Sequence, residues 1–287
     1  MSRPAPWVLP TLLLAGLGAC TNITGTVGGA GPTSSQSLEL RLAVDDEVQS
    51  AASALTLATP GVPPAFGTPA GCPAASSTAD GDGDGIPNDA TYTFLNPPCR
   101  VTGLGGGDYG VTGALRVQDP SGGNATAYNL TLTDLAWTYT DTAGTLSYTA
   151  TRNGTRSRLG SSSAASLAVD IEIVRERPNR VAATVTLATT TSFTASNAGT
   201  VQVGQPLPDG SLTIAGSLDW ERSTEQWSLA VATPQPLNYD ADCTDTPQRI
   251  KAGKVTLTGT VRGQAGVLTL TWTACGAPPS RSWTPGA

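Results

Sequence analysis

Between Cys72 and Cys99 the chain carries Asp80-Gly81-Asp82-Gly83-Asp84-Gly85-Ile86-Pro87-Asn88-Asp89, with a glycine after each of three alternating carboxylates. Such a run makes a poor helix and a poor central strand. Glycine loses the most backbone entropy on ordering, and neighbouring like charges repel. A divalent cation removes both objections, because it neutralises the aspartates while the glycines let the chain wrap around it. In a D-x-D-x-D-G loop the first, third and fifth side chains and the seventh carbonyl coordinate calcium, with glycine sixth at the sharp turn. The expected ligands are Asp80, Asp82, Asp84 and the carbonyl of Ile86, with Gly85 at the turn and Asn88 acting through water. The alternative is an acidic surface turn that holds no ion.

Over about a dozen residues the run resembles the calcium loops of thrombospondin type-3 repeats and EF-hand-like loops, which implies a calcium site. It departs from them at the twelfth position, where Thr91 stands in place of an acid. Either Asp89, from a different register, or a distant carboxylate has to complete the shell. Thr91-Tyr92-Thr93-Phe94 reads as a strand rather than an exiting helix. The ion would pin a loop, not move helices.

The scaffold that must hold this loop reads as β. Of 287 residues only 13% are charged and 5% aromatic, with glycine, serine, threonine and alanine abundant, which suits many short strands joined by small-residue turns. The length suits one large β domain or two small ones. A net charge of -6 argues against nucleic acid as a partner. There is no histidine, which excludes Ser-His-Asp and Cys-His catalysis and every histidine metal site.

At the N-terminus, Arg3 precedes an apolar run from Trp7 to Leu17 that is too short to span a membrane. The run ends Leu17-Gly18-Ala19-Cys20, which resembles the lipobox of bacterial lipoprotein signal peptides. That resemblance implies removal of residues 1–19, lipidation of Cys20 and attachment to a membrane of the cell envelope. No acid follows Cys20, and in proteobacteria-like sorting this resembles export to the outer membrane. Residues 20–36 then form a flexible tether with a reach of about 20–25 Å. The overall layout looks like that of secreted β-rich lipoproteins of bacteria, which implies a location and no activity. Without Cys20 four cysteines remain, an even number in an oxidising compartment. Sequence proximity favours Cys72–Cys99 and Cys243–Cys275 among the three possible pairings. Each bridge would close a loop of roughly 30 residues, worth about 3–4 kcal/mol. No C-x-x-C is present, so zinc fails on spacing.

Along the chain, Leu38, Leu40, Leu42 and Val44 alternate with polar residues and predict a strand, and a short helix is placed at Ala51–Leu57. From Tyr109 the pattern is a long antiparallel meander. Leu130 and Leu132 share one face while Leu135, Trp137 and Tyr139 take the other register, which predicts a bulge near Thr133-Asp134. Asn153-Gly154 signals a tight turn. Leu167, Val169, Ile171 and Ile173, then Val181, Ala183, Val185 and Leu187, predict a hairpin across Pro178-Asn179. Later strands centre on Leu212–Trp220, Trp227–Val231, Val255–Val261 and Leu268–Trp272. The predicted class is all-β, one domain over 37–277 built as a strongly bent sheet, half-barrel or β-sandwich, with a loose tail at 278–287.

Other constellations are weaker. Asp170 with Glu172, and Asp219 with Glu221, lie about 7 Å apart on one strand face, a spacing at which carboxylates can hydrolyse glycosides. A solvated outer sheet face produces the same pattern. Asp240, Asp242 and Asp245 flank Cys243 as a second acidic loop. Trp137, Trp220, Trp227 and Trp272 fall on inward strand positions, where they serve the core or line a concave face for a hydrophobic ligand or glycan. The expected function is a non-catalytic envelope lipoprotein with a stabilising calcium loop, presenting its sheet to envelope proteins or glycans. A carrier of a hydrophobic ligand is the alternative.

Overall fold

The computed structural model describes residues 31–55, 72–77, 79–84, 86–102, 108–120, 127–140, 146–160, 163–196, 207–243 and 249–286. Cys20, segment 1–19, most of the expected tether, Gly85 and Asp245 lie outside these residues.

Alternation of apolar and polar side chains builds the sheet, since successive residues of a strand face opposite sides. Its first strands are β1 (Ala74–Ala75), β2 (Asp89–Thr102), β3 (Asp108–Gln118), β4 (Tyr128–Thr140) and β5 (Leu146–Gly160). The hairpin β6 (Ala164–Glu176) and β7 (Ala183–Ala195) follows, joined through Pro178-Asn179 as the sequence predicts. The meander continues as β8 (Gly210–Arg222), β9 (Glu225–Tyr239), β10 (Ile250–Val261), β11 (Gln264–Trp272) and β12 (Ser280–Pro285). Among the described residues, twelve strands lie in chain order in one antiparallel sheet, bent but not closed into a barrel. The class is all-β, as expected.

The inner face is apolar and continuous. It takes Leu167, Val169, Ile171 and Ile173 from β6, Leu218 and Trp220 from β8, and Leu268, Leu270 and Trp272 from β11, each at most 3% exposed. The outer face keeps Asp170, Glu172, Thr190, Asp219 and Lys254 in water. Cys72 and Cys99 stand 5.7 Å apart at Cα, and Cys243 and Cys275 6.0 Å, the two expected pairs.

Bends come where registers slip. The bulge expected near Thr133-Asp134 is present: pairing of β4 with β5 shifts between Leu132 and Leu135, and Asp134 has a φ of 47°. Asn153-Gly154, expected as a tight turn, instead lies within β5. Gly154 has a φ of 129°, and a Cβ there would sit 2.1 Å from the Asp170 carbonyl oxygen. Asn153 Oδ1 accepts a hydrogen bond from the Asp134 backbone N–H at 2.7 Å. The conformational freedom of this Asn-Gly pair thus bends the sheet rather than reversing the chain. Gly216 repeats the device in β8, with a φ of 141° beside the register shift between Leu212 and Gly216.

The strand expected at Leu38–Val44 is a correction, because α1 (Ser34–Leu55) occupies that stretch. Leu38, Leu40, Leu42 and Val44 match a period of two, but Leu40, Ala43, Val44, Val48, Ala51 and Leu55 share one helical stripe. All six are 0–2% exposed and join the sheet's core. A capping box starts the helix inside the expected tether. Thr33 Oγ1 accepts from the Gln36 N–H at 3.3 Å, and Gln36 Oε1 accepts from the Thr33 N–H at 2.8 Å. The tail 278–287, expected to be loose, contributes β12, which pairs with β11 from Gly266↔Pro285 to Thr271↔Ser280. Trp283 fixes it there, since its indole packs directly over Gly31 and Gly266.

Candidate metal centre

The loop before β2 folds by short-range hydrogen bonds from its own aspartates. Asp80 Oδ1 accepts from Gly83 N–H at 2.8 Å, Asp84 Oδ1 from Ile86 N–H at 2.7 Å, and Asp82 Oδ1 from Asp84 N–H at 3.3 Å. Asn88 closes the loop from the far side, with its Oδ1 accepting from Gly81 N–H at 2.9 Å and its own N–H donating to the Ala79 carbonyl. Gly83 supplies the positive φ, 78°, that the reversal needs. The Ile86 side chain, 2% exposed, anchors the loop in the core.

One carboxylate oxygen from each of Asp80, Asp82 and Asp84 lies within 4.8 Å of the others. Asp84 Oδ2 is buried without a hydrogen-bond partner among the described residues. Burial, then the charges of Asp82 and Asp80, pushes the Asp84 carboxyl above the usual carboxylate range, against a partial offset from the Ile86 N–H. Three converging carboxylates with one oxygen orphaned form an oxygen-rich set that fits a hard cation such as calcium.

A fourth acid, Asp119 at the end of β3, lies near enough to feel their charge. The Asp119 N–H reaches the carbonyls of Pro87 and Asn88 at 3.2 and 3.3 Å. Burial, then Asp84, Asp82 and Asp80, raises its carboxyl above the ordinary range. The signal for it lay in pairing: β2 and β3 form a hairpin with Asp89 opposite Gln118, which carries the next residue back to the loop. Asp89 itself takes another role. Its carboxylate grips Arg116 through two bonds, 2.8 Å from Nε and 2.6 Å from Nη2, which holds it well below the ordinary carboxylate range. Asp89, expected among the ligands, is thus engaged by Arg116 in this structure.

The other sequence candidates fall elsewhere. Asp170, Glu172, Asp219 and Glu221 are exposed on the outer face, with Thr186 of β7 between Glu172 and Asp219 in the ladder. Asp240 pairs with Lys251 at 2.7 Å. Trp220 and Trp227 stack at 4.1 Å, and with Trp272 they are core side chains at most 7% exposed. Trp137 is half-buried against the same core. Helix α1 lies over the inner face they share, tied by Glu39 to Arg222 and Trp220, by Glu47 to Arg156 and by Gln36 to Glu225. No helix among the described residues is long and apolar enough to cross a membrane.

No protein-family model, curated protein or solved structure matches this chain.

Proposed function

We propose that the chain is a lipid-anchored, non-catalytic module of the bacterial envelope, stabilised by one calcium ion and presenting a polar sheet face to envelope proteins or glycans. The observation that carries this reading is the division of the sheet. Its inner face is filled by its own core and by α1, while its outer face is a broad surface of short polar side chains. A carrier needs an open apolar chamber, and the helix stands where that chamber would be.

Calcium would sit among Asp80, Asp82, Asp84 and Asp119, with the Ile86 carbonyl and water completing the shell. A site so open binds in the weak extracellular range, on the order of 10⁻⁴–10⁻³ M. At about ten times the dissociation constant, linkage adds roughly 1.4 kcal/mol, a rise of a few degrees in melting temperature. Asp82→Ala with Asp84→Ala should abolish the rise, and Asp119→Asn should reduce it, with the β spectrum intact. Acid should abolish it too. In chelator the raised carboxyls of Asp84 and Asp119 favour the folded state at low pH, and that stability is lost as pH rises through their folded pKa values. Calcium needs the same groups ionised. The calcium-dependent rise should therefore be present at neutral pH and vanish as pH falls through the carboxylate range. Equal melting in millimolar calcium and in chelator at neutral pH would leave only an acidic turn.

The anchor has its own test. Cys20→Ala should move the protein from the membrane fraction to the soluble fraction, and unchanged fractionation would refute lipidation.

A further inference from the structure

We propose that an arginine-lined pocket at the β6–β7 end of the sheet is an anion site whose ligands carry a phosphate monoester. Arg175, Arg177, Arg180, Arg222, Glu39 and Trp220 line it, with Val181 and Val185 on its apolar side. Strand register places the arginines there. On β6 the inward positions run Leu167, Val169, Ile171 and Ile173, and the same alternation continues into Arg175 and then Arg177. On β8 the inward series Leu218, Trp220 ends in Arg222. Two apolar stripes, on either side of β7, thus finish in guanidinium groups. The turn between β6 and β7 adds Arg180, whose N–H donates to the Arg177 carbonyl at 3.2 Å.

The floor is rigid. Trp220 is 1% exposed, stacks on Trp227, and lies opposite Val185 in the ladder. Glu39 holds Arg222 and accepts from Trp220 Nε1 at 3.2 Å, while the Arg222 guanidinium stands 5.6 Å from the Trp220 ring. Glu39 therefore neutralises Arg222. Arg177 and Arg180 are exposed, with no side-chain acid partner among the described residues. This clustering runs against a chain of net charge -6, and the acids of the same strands, Asp170, Glu172, Asp219 and Glu221, face the opposite side. A surface ion-pair network would intersperse the two signs.

Guanidinium forks match phosphate oxygens in pairs, and a phosphate monoester carries close to two negative charges at neutral pH. The pocket encloses about 20 Å³, space for about one water, so a phosphate would rest at its mouth against the exposed Arg177 and Arg180. Val181, 61% exposed at the rim, is placed to touch the organic part. A soluble phosphate ester and the terminal phosphate of a lipid share this chemistry.

Calorimetric titration of the full chain separates them, with phenyl phosphate, dihexanoyl phosphatidic acid and dihexanoyl phosphatidylcholine as probes. The wild type should bind at least one of the two phosphate monoesters, more weakly as salt rises. Arg177→Ala with Arg180→Ala should weaken that binding about tenfold or more. Both positions are exposed, so folding should be intact and is checked by melting. Arg116→Ala, at an exposed arginine elsewhere, should bind as the wild type does. Tighter binding of phosphatidic acid than of phenyl phosphate assigns a lipid source, and equal or weaker binding a soluble one. No binding of either monoester up to roughly 10 mM, undiminished binding by the double variant, or phosphatidylcholine binding as tightly as phosphatidic acid overturns the site.

Discussion

Gly154→Ala is expected to lower stability by about 3–5 kcal/mol, or about 10 °C in melting temperature. The methyl group would stand 2.1 Å from the Asp170 carbonyl oxygen and 2.8 Å from the Ile171 Cα, with the residue held at a φ of 129°. Neither neighbour is the end of a flexible side chain. Both are backbone of β6, so the β5–β6 ladder would have to separate where Gly154 pairs with Ile171. Gly263→Ala is the matched control, because Gly263 also has a positive φ, 80°, but nothing lies within 4 Å of its added methyl. It should lose only the left-handed conformational penalty, about 1–2 kcal/mol. Thermal melting of both variants checks this. Similar losses would mean that backbone conformation, not close approach of the strands, makes glycine necessary at the bend.

The second large effect is expected at the pair that fastens α1 to the sheet. Arg156 Nη2 stands 2.9 Å from Glu47 Oε2, with the two side chains 11% and 1% exposed. Arg158, on the same strand, is fully buried, and desolvation pushes its guanidinium below its ordinary range. Glu47→Ala would leave positive charge in this place with less to balance it, at a cost of about 3–5 kcal/mol. Replacing both partners by apolar residues, Glu47→Leu with Arg156→Met, should recover most of the loss, since an apolar pair avoids the desolvation of two ions. Urea unfolding of the two single variants and the double variant measures the coupling. Additive losses would show that the two charges do not act as a pair.

Most of the sheet was legible because its strands alternate cleanly. In β6 and β11 most inward residues are aliphatic or aromatic and most outward ones polar or small, and β7 keeps the same alternation with Thr189 and Thr191 buried among its inward residues, so period and register agreed. Asn153-Gly154 misled because turn chemistry and bulge chemistry ask for the same residues, and only the packing of β4 and β6 around β5 decides between them. Helix α1 was hidden for a different reason. Its polar residues Glu39 and Glu47 do not face water but pair with Arg222 and Arg156, which lie more than a hundred positions downstream. Two of the charged residues between its apolar positions thus point to the sheet rather than to water. The Thr33–Gln36 capping box was the local clue. In the candidate metal loop the three aspartates were legible from spacing alone, whereas Asp119 needed the β2–β3 pairing and the arginine pocket needed four elements at once.

The strictly sequential strand order has a consequence for how the molecule assembles. Every strand finds its partners immediately before and after it in the chain, so loop-closure entropy is small at each step and the sheet can grow hairpin by hairpin. The helix is the exception. Its partners Arg156, Arg222 and Glu225 lie 109, 183 and 189 residues beyond the groups they bind. Among the described elements, α1 is therefore the one whose docking waits longest on partners made later in the chain. Until β9 exists, the apolar stripe of α1 has no complete surface to cover.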